Sequence, residues 1–121
     1  MIYASQNSIF GQPEIKIGTI PGGGATQRIT KTVGKYKAME YILTGKTFSA
    51  EKAKEMGIVC DIFKDNELIP ECLEIAKTIT KHPQHVLILA KKAINMSLNT
   101  GLDSGIEFER SMFYSTFSLV F

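Results

Sequence analysis

Apolar positions along this chain recur at two spacings, and the switch between them separates short strands from longer helices. "IYA" at residues 2–4 is an apolar triplet too short for a helix and reads as a strand. After the turn-rich "SQNS" comes "FGQPEIKIG", where Pro13 demands an extended or turn conformation before it and the branched Ile15 and Ile17 favour strand beyond it. Glu14 is then expected at the edge of an extended piece. "PGGGATQRITKTVG" reads as a glycine turn feeding a helix that closes at Gly34. "KYKAMEYILTG" reads as a second helix, with Ala38, Met39, Ile42 and Leu43 on one face and a stop at Gly45. Two successive helices, each ended by glycine, imply a compact hairpin.

Downstream, Ser49 is the expected N-cap of "AEKAKEMG", since its hydroxyl can accept a free first-turn N–H and Glu51 suits the positive end of the helix. That helix should end at Gly57. "IVCDIF" is a run of six with branched side chains, a better strand than helix. Ile69, Cys72, Leu73, Ala76 and Ile79 then repeat at helical spacing, and Pro70 fits only the opening turn of that helix. A further helix begins after Pro83 with Leu87, Ala90, Ile94 and Leu98 as its stripe, and "NTG" breaks it. The last segment, "LDSGIEFERSMFYSTFSLVF", crowds aromatics into its second half, more than an exposed helix carries, so something is expected to cover it.

Composition bounds what these elements can form. With 121 residues, 44% hydrophobic, 21% charged and a net charge of +2, the chain has ordinary globular content and room for one core at most. Only two of its fourteen basic residues are Arg, and no basic block interleaves with aromatics, so a nucleic-acid partner is not expected. No apolar run approaches the ~20 residues that span a bilayer, so no membrane partner is expected either. Cys60 and Cys72 lie too far apart for a paired-thiol motif and have no His pair nearby. His82 and His85 are interrupted by Pro83 and unflanked by carboxylates, which leaves no expected metal site.

Two features carry candidate chemistry. Gly22, Gly23 and Gly24 could cradle an anion at a helix start, or could serve only as a tight connection. The dinucleotide fingerprint fails because Gln27 holds its third glycine position, and a phosphate loop ending in "GKT" fails because Glu40 stands where its first glycine belongs. Glu14 reads either as a solvated acid or as a catalytic one beside free backbone N–H groups. Pattern alone leaves both alternatives open.

The ordered set F-G-x-P-E, P-G-G-G-x-T-Q-R, L-T-G and S-A-x-x-A-x-x-x-G-I-V, continuing through "LAKKAIN" to "FERSMFYSTF", resembles the second half of the enoyl-CoA hydratase (crotonase) family core, in its short-chain mitochondrial-type form. The resemblance covers nearly the whole chain. It implies an α/β fold, the C-terminal half of a crotonase-like domain, helix-rich with a few short strands. Residues 2–117 would form this partial domain and 118–121 a divergent tail.

By resemblance, the reaction is addition of water to a trans-2-enoyl thioester of coenzyme A, giving the 3-hydroxyacyl thioester in fatty-acid β-oxidation. Coenzyme A is then part of the substrate, and no separate cofactor is implied. Such an alkene reacts only when its carbonyl is polarised by an oxyanion hole, while carboxylates on one side activate water and deliver a proton. Glu14 matches the second of the family's two catalytic glutamates, assigned proton delivery to C2, and Gly22 matches the turn glycine whose N–H orients the water. The first glutamate, the oxyanion-hole amides and most of the coenzyme-binding stretches match nothing in these residues. The resemblance also implies a homo-oligomer, trimeric or hexameric, in the mitochondrial matrix or, in a prokaryote, the cytoplasm. Two alternatives accompany it: a double-bond isomerase of the same family, and a catalytically inactive chain that acts in subunit assembly.

Overall fold

The computed structural model describes residues 1–118, a helix-rich α/β arrangement with few strands. Residues 119–121, and with them most of the 118–121 tail, lie outside the described residues. The chain divides into two compact units, Met1–Glu74 and a second from Ile75 onward. Chain order in the first is β1 (Tyr3–Ser5), β2 (Ile9–Phe10), a 3-10 turn (Glu14–Ile17), α1 (Ala25–Val33), α2 (Lys35–Thr44), β3 (Phe48–Ser49), α3 (Ala50–Glu55) and β4 (Asp61–Phe63). The division falls within α4 (Leu68–Thr80), and the second unit holds α5 (Gln84–Met96) and α6 (Leu102–Phe117).

Strands β1 and β4 pair in parallel, Tyr3 with Asp61, Ala4 with Ile62 and Ser5 with Phe63, while β2 and β3 form a two-residue antiparallel ladder, Ile9 with Ser49 and Phe10 with Phe48. Between these pairs Ala4, Ala53 and Val59 are buried, with Phe10, Phe48, Ile58 and Ile62 packed against them. Small side chains let α3 approach the strands closely. The Phe10 ring stacks on Phe48 at 5.8 Å, and the Tyr41 ring meets Phe48 tilted at 4.6 Å, which joins the ladder to α2. Ring pairs of this kind add about 0.5–1.5 kcal/mol beyond the area they bury.

Local signals behaved as their chemistry requires. The Ser49 hydroxyl accepts the Lys52 N–H at 3.1 Å and caps α3. Gly34 ends α1 and opens α2 with φ 88° and ψ 159°, a region essentially closed to other residues. Pro70 falls in the opening turn of α4.

Several expectations need correction. Ile15 and Ile17 do not form a strand: residues Glu14–Ile17 make a 3-10 turn, closed by Lys16 N–H to Pro13 carbonyl at 2.9 Å and by Gly18 at φ 81°. Strand propensity describes a fit to neighbouring strands, and none pairs with this run. The strand expected from "IVCDIF" keeps only its last three residues, because the N–H groups of Ile58 and Val59 turn back to the Ala53 carbonyl at the end of α3. On α2 the buried face is Ala38 and Tyr41, while Met39 and Leu43 stay exposed, since Tyr41 is drawn onto Phe48. On α4, Ile69 and Leu73 are likewise exposed, although Cys72 and Ile79 are half-buried.

In the second unit α5 and α6 pack together, with Val86 and Leu89 near the start of α5 facing Met112, Phe113 and Thr116 near the end of α6, so the helices run antiparallel. The seam on α5 passes through Val86, Leu89, Ala93 and Met96, about one position away from the expected stripe, and Ile94 and Leu98 are exposed. Phe113, Tyr114 and Phe117 are more than half exposed, although Phe113 meets Tyr114 at 5.8 Å and Phe117 at 5.0 Å. Among the described residues no helix is long and apolar enough to cross a membrane.

The turns after β1 and β4 are clasped by Asp65, whose carboxylate accepts from the Ser5 hydroxyl and, at 2.8 Å, from the Asn7 amide. These two hydrogen bonds, Ser5 first, hold the Asp65 carboxyl below the usual carboxylate range. A depressed folded-state pKa contributes stability that is complete above the unfolded value near 3.9 and is lost as pH falls through the lowered value. Asp65→Ala is therefore expected to lower stability at neutral pH and to flatten the loss below about pH 4; urea melts at pH 7 and in acid check this, and an unchanged acid limb counts against the clasp. Gly34→Ala is expected to cost about 1–3 kcal/mol, and Gly23→Ala, in open space without a left-handed φ, to stay within about 0.5 kcal/mol of the parent. Equal melting midpoints for the two variants would contradict the backbone argument.

Candidate active site

Glu14 opens the 3-10 turn on the connection between β2 and α1, the same connection that carries Gly22, Gly23 and Gly24. Its backbone carbonyl accepts the Thr19 N–H at 3.2 Å, so the chain folds back just after the acid. The residue as a whole is half-buried, but its Oε2 atom is fully buried and has no hydrogen-bond partner. Among the described residues it is the one buried side-chain oxygen or nitrogen in that condition. Leaving a buried acceptor unsatisfied costs about 1–3 kcal/mol, more for a charged group, so this arrangement works against stability.

Beyond the buried Pro21, the chain passes through the glycines into α1. Gly24 is the N-cap residue at φ 104°, and a side chain there would run into the Arg28 guanidinium. Gly22 and Gly23 differ from it. Neither has a left-handed φ, and no atom lies within 4 Å of where a Cβ would sit. Nothing within the described chain therefore demands glycine at 22. The N–H groups of Gly22, Gly23 and Gly24 donate no hydrogen bond among the described residues, and they precede the positive end of α1.

The structure thus places Glu14 and Gly22 on one connection of the first unit, and no hydrogen bond joins the Glu14 carboxylate to the Gly22 amide. Arg28 is a participant that pattern reading passed over. Its guanidinium reaches back from α1 to the Gly23 carbonyl at 2.5 Å and so fixes the turn from behind. The backward tilt of helical side chains toward the N-terminus was the available signal. Among the described residues no group of three or more His, Cys, Asp or Glu side chains could hold a metal ion.

The family model for enoyl-CoA hydratase/isomerase matches residues 1–119. A mitochondrial enoyl-CoA hydratase from Pongo abelii is 43% identical over 118 residues, covering 98% of this chain and 41% of its own length. A short-chain enoyl-CoA hydratase from Clostridioides difficile is 39% identical, covering 95% of this chain and 74% of the relative. Among solved structures, enoyl-CoA hydratase subunit I from Geobacillus kaustophilus superposes with TM-score 0.94 at 36% identity, over 98% of this chain and 46% of that one. An enoyl-CoA hydratase from Bacillus anthracis gives 0.89 at 32%, over 93% and 43%. Apart from the Clostridioides protein, the chain spans less than half the length of these relatives.

Because the buried Glu14 oxygen lacks a partner, an uncharged side chain of similar length should suit the folded chain better. Glu14→Met is expected to raise stability by about 1–2 kcal/mol, read from denaturant melts. A destabilised variant would mean that the carboxylate is satisfied in solution.

Proposed function

Since the chain belongs to the enoyl-CoA hydratase/isomerase family, we propose that it supplies one carboxylate of a two-carboxylate hydratase site, acting on a trans-2-enoyl thioester of coenzyme A. The observation that carries this reading is the buried Oε2 of Glu14, which has no hydrogen-bond partner, on a connection that ends in free backbone donors. In the proposed step water adds at C3 and gives up a proton to a second carboxylate, while Glu14 passes its carboxyl proton to C2 and is left as the carboxylate. The Gly22 N–H orients that water, and the open space beside Gly22 leaves room for its approach. A second carboxylate and the donors that stabilise the enolate-like oxygen come from residues outside this chain, in keeping with its share of the relatives' length. On this reading the chain corresponds to the second half of the family's fold, with residues 2–117 as part of one domain. A mitochondrial matrix setting, or the cytoplasm in a prokaryote, goes with this reading, in keeping with relatives that include one named mitochondrial and one from a bacterium.

A second reading is favoured by one observation, the exposed aromatic end of α6. There the chain acts through assembly alone, with Phe113 and Phe117 docking against another subunit.

Hydration of crotonyl-CoA, followed by loss of enoyl absorbance, separates the two. The chain alone is expected to give no turnover. Co-folded with a polypeptide carrying the remainder of the family's length, it is expected to turn over, and Glu14→Gln should lower kcat by about 10²–10⁴-fold. Full activity of the reconstituted Glu14→Gln variant would eliminate the catalytic reading and leave assembly.

A further inference from the structure

The 3-10 turn that carries Glu14 is closed by local hydrogen bonds only: Lys16 N–H to Pro13, Gly18 N–H to Ile15 and Thr19 N–H to Glu14. Such bonds shape the turn without locating it. Its placement comes from the connection between α2 and β3, residues Gly45 to Thr47, which meets the acid-bearing segment on both sides of Glu14.

Upstream of the acid, Phe10 pairs with Phe48 in the β2–β3 ladder, and the next residue, Gly11, then runs along the connection. A Cβ on Gly11 would sit 3.2 Å from Thr47 Cγ2, tighter than ordinary packing, and in ordinary contact with Thr47 Cα at 3.5 Å. Downstream, a Cβ on Gly45 would sit 3.0 Å from Lys16 Cε and 3.1 Å from Ile15 Cγ2. Gly45 is itself buried, at φ 62°. The connection is tied back to α2 in turn. Lys46 Nζ is bound to Glu40 at 2.5 Å and lies 4.9 Å from the centre of the Tyr41 ring, and the Lys46 N–H reaches Thr44 Oγ1 at 3.3 Å.

We propose that the Gly45–Thr47 connection fixes the position of the Glu14 carboxylate, and that Gly45 is a positioning residue whose missing side chain leaves the seat on which the acid-bearing turn rests. The proposal rests on Glu14 being the reacting acid, and it adds a residue for which helix termination alone had seemed reason enough. Gly57 supplies the control. It too has a left-handed φ, 80°, but no atom lies within 4 Å of its would-be Cβ. Alanine at 45 and at 57 therefore imposes the same kind of backbone strain, and only the first presses on the turn.

The test follows the Glu14 side-chain carboxyl carbon by NMR in the full 121-residue chain. Gly45→Ala is expected to shift that resonance, and Gly57→Ala to leave it in place while lowering the melting temperature. An unmoved resonance in Gly45→Ala, or an equal shift in both variants, overturns the proposal. Should Gly45→Ala fail to fold, Gly11→Ala takes its place, because position 11 has no left-handed φ. That variant is expected to move the Glu14 resonance, and Gly11→Ala combined with Thr47→Ser, which removes the Cγ2 in the way, to restore it. No shift in the first, or no restoration in the second, also counts against the proposal. If reconstituted turnover proves indifferent to Glu14 while the resonance still follows Gly45, the hydratase reading falls and the positional coupling stands.

Discussion

The pairing of Phe10 with Phe48 is the contact on which the candidate site depends. Two residues per strand make a ladder that hydrogen bonding alone would hold poorly. The rings supply what the ladder lacks: Phe10 stacks on Phe48, and Tyr41 packs against Phe48 as well. From that anchor the chain runs only four residues to Glu14. The acid-bearing segment leaves from the ladder, and α2 is tied to the same column through Tyr41. A loss at Phe48 would release the strand, the helix and the acid together.

Stability elsewhere is sparse, and the sparseness has a pattern. Among the described residues the buried apolar set is Ala4, Ala38, Tyr41, Ala50, Ala53 and Val59, four of them alanines. Such a set permits close approach of helix to strand but buries little area per residue. Parallel strands are ordinarily covered on both faces within larger sheets, whereas among the described residues β1 pairs with β4 alone. Met39, Leu43, Ile69 and Leu73 lie open, each from a helix whose period is nonetheless regular. These open faces accord with a chain that matches less than half of most of its relatives.

What could be read from the sequence follows the range of each interaction. Gly34 and Gly45 as helix ends, Ser49 as a cap and Pro70 in an opening turn depend on neighbours within a few residues, and all were legible. The Ile15–Ile17 run was not, because strand propensity presupposes a partner strand that this segment never meets. Helical period showed that α2 and α5 each have an apolar side, but it could not choose between adjacent stripes. On α2 the choice fell to Tyr41 because Phe48 is there to receive it. For the site, residue pattern left Glu14 undecided between a solvated acid and a functional one, and resemblance to a family tipped that balance. The unsatisfied Oε2 is a fact of packing that no local pattern encodes.

The glycines show how the same residue can answer to three different constraints. At Gly34 the backbone alone requires it, since the dihedrals exclude side chains while the surrounding space is empty. At Gly11 the dihedral is ordinary and the limit is Thr47, a contact across the ladder. At Gly45 both limits act, a φ of 62° and the nearby side chains of Lys16 and Ile15. Gly22 meets neither limit, and nothing among the described residues excludes a side chain there. Its open backbone lies on the same connection as the unpartnered Glu14 oxygen.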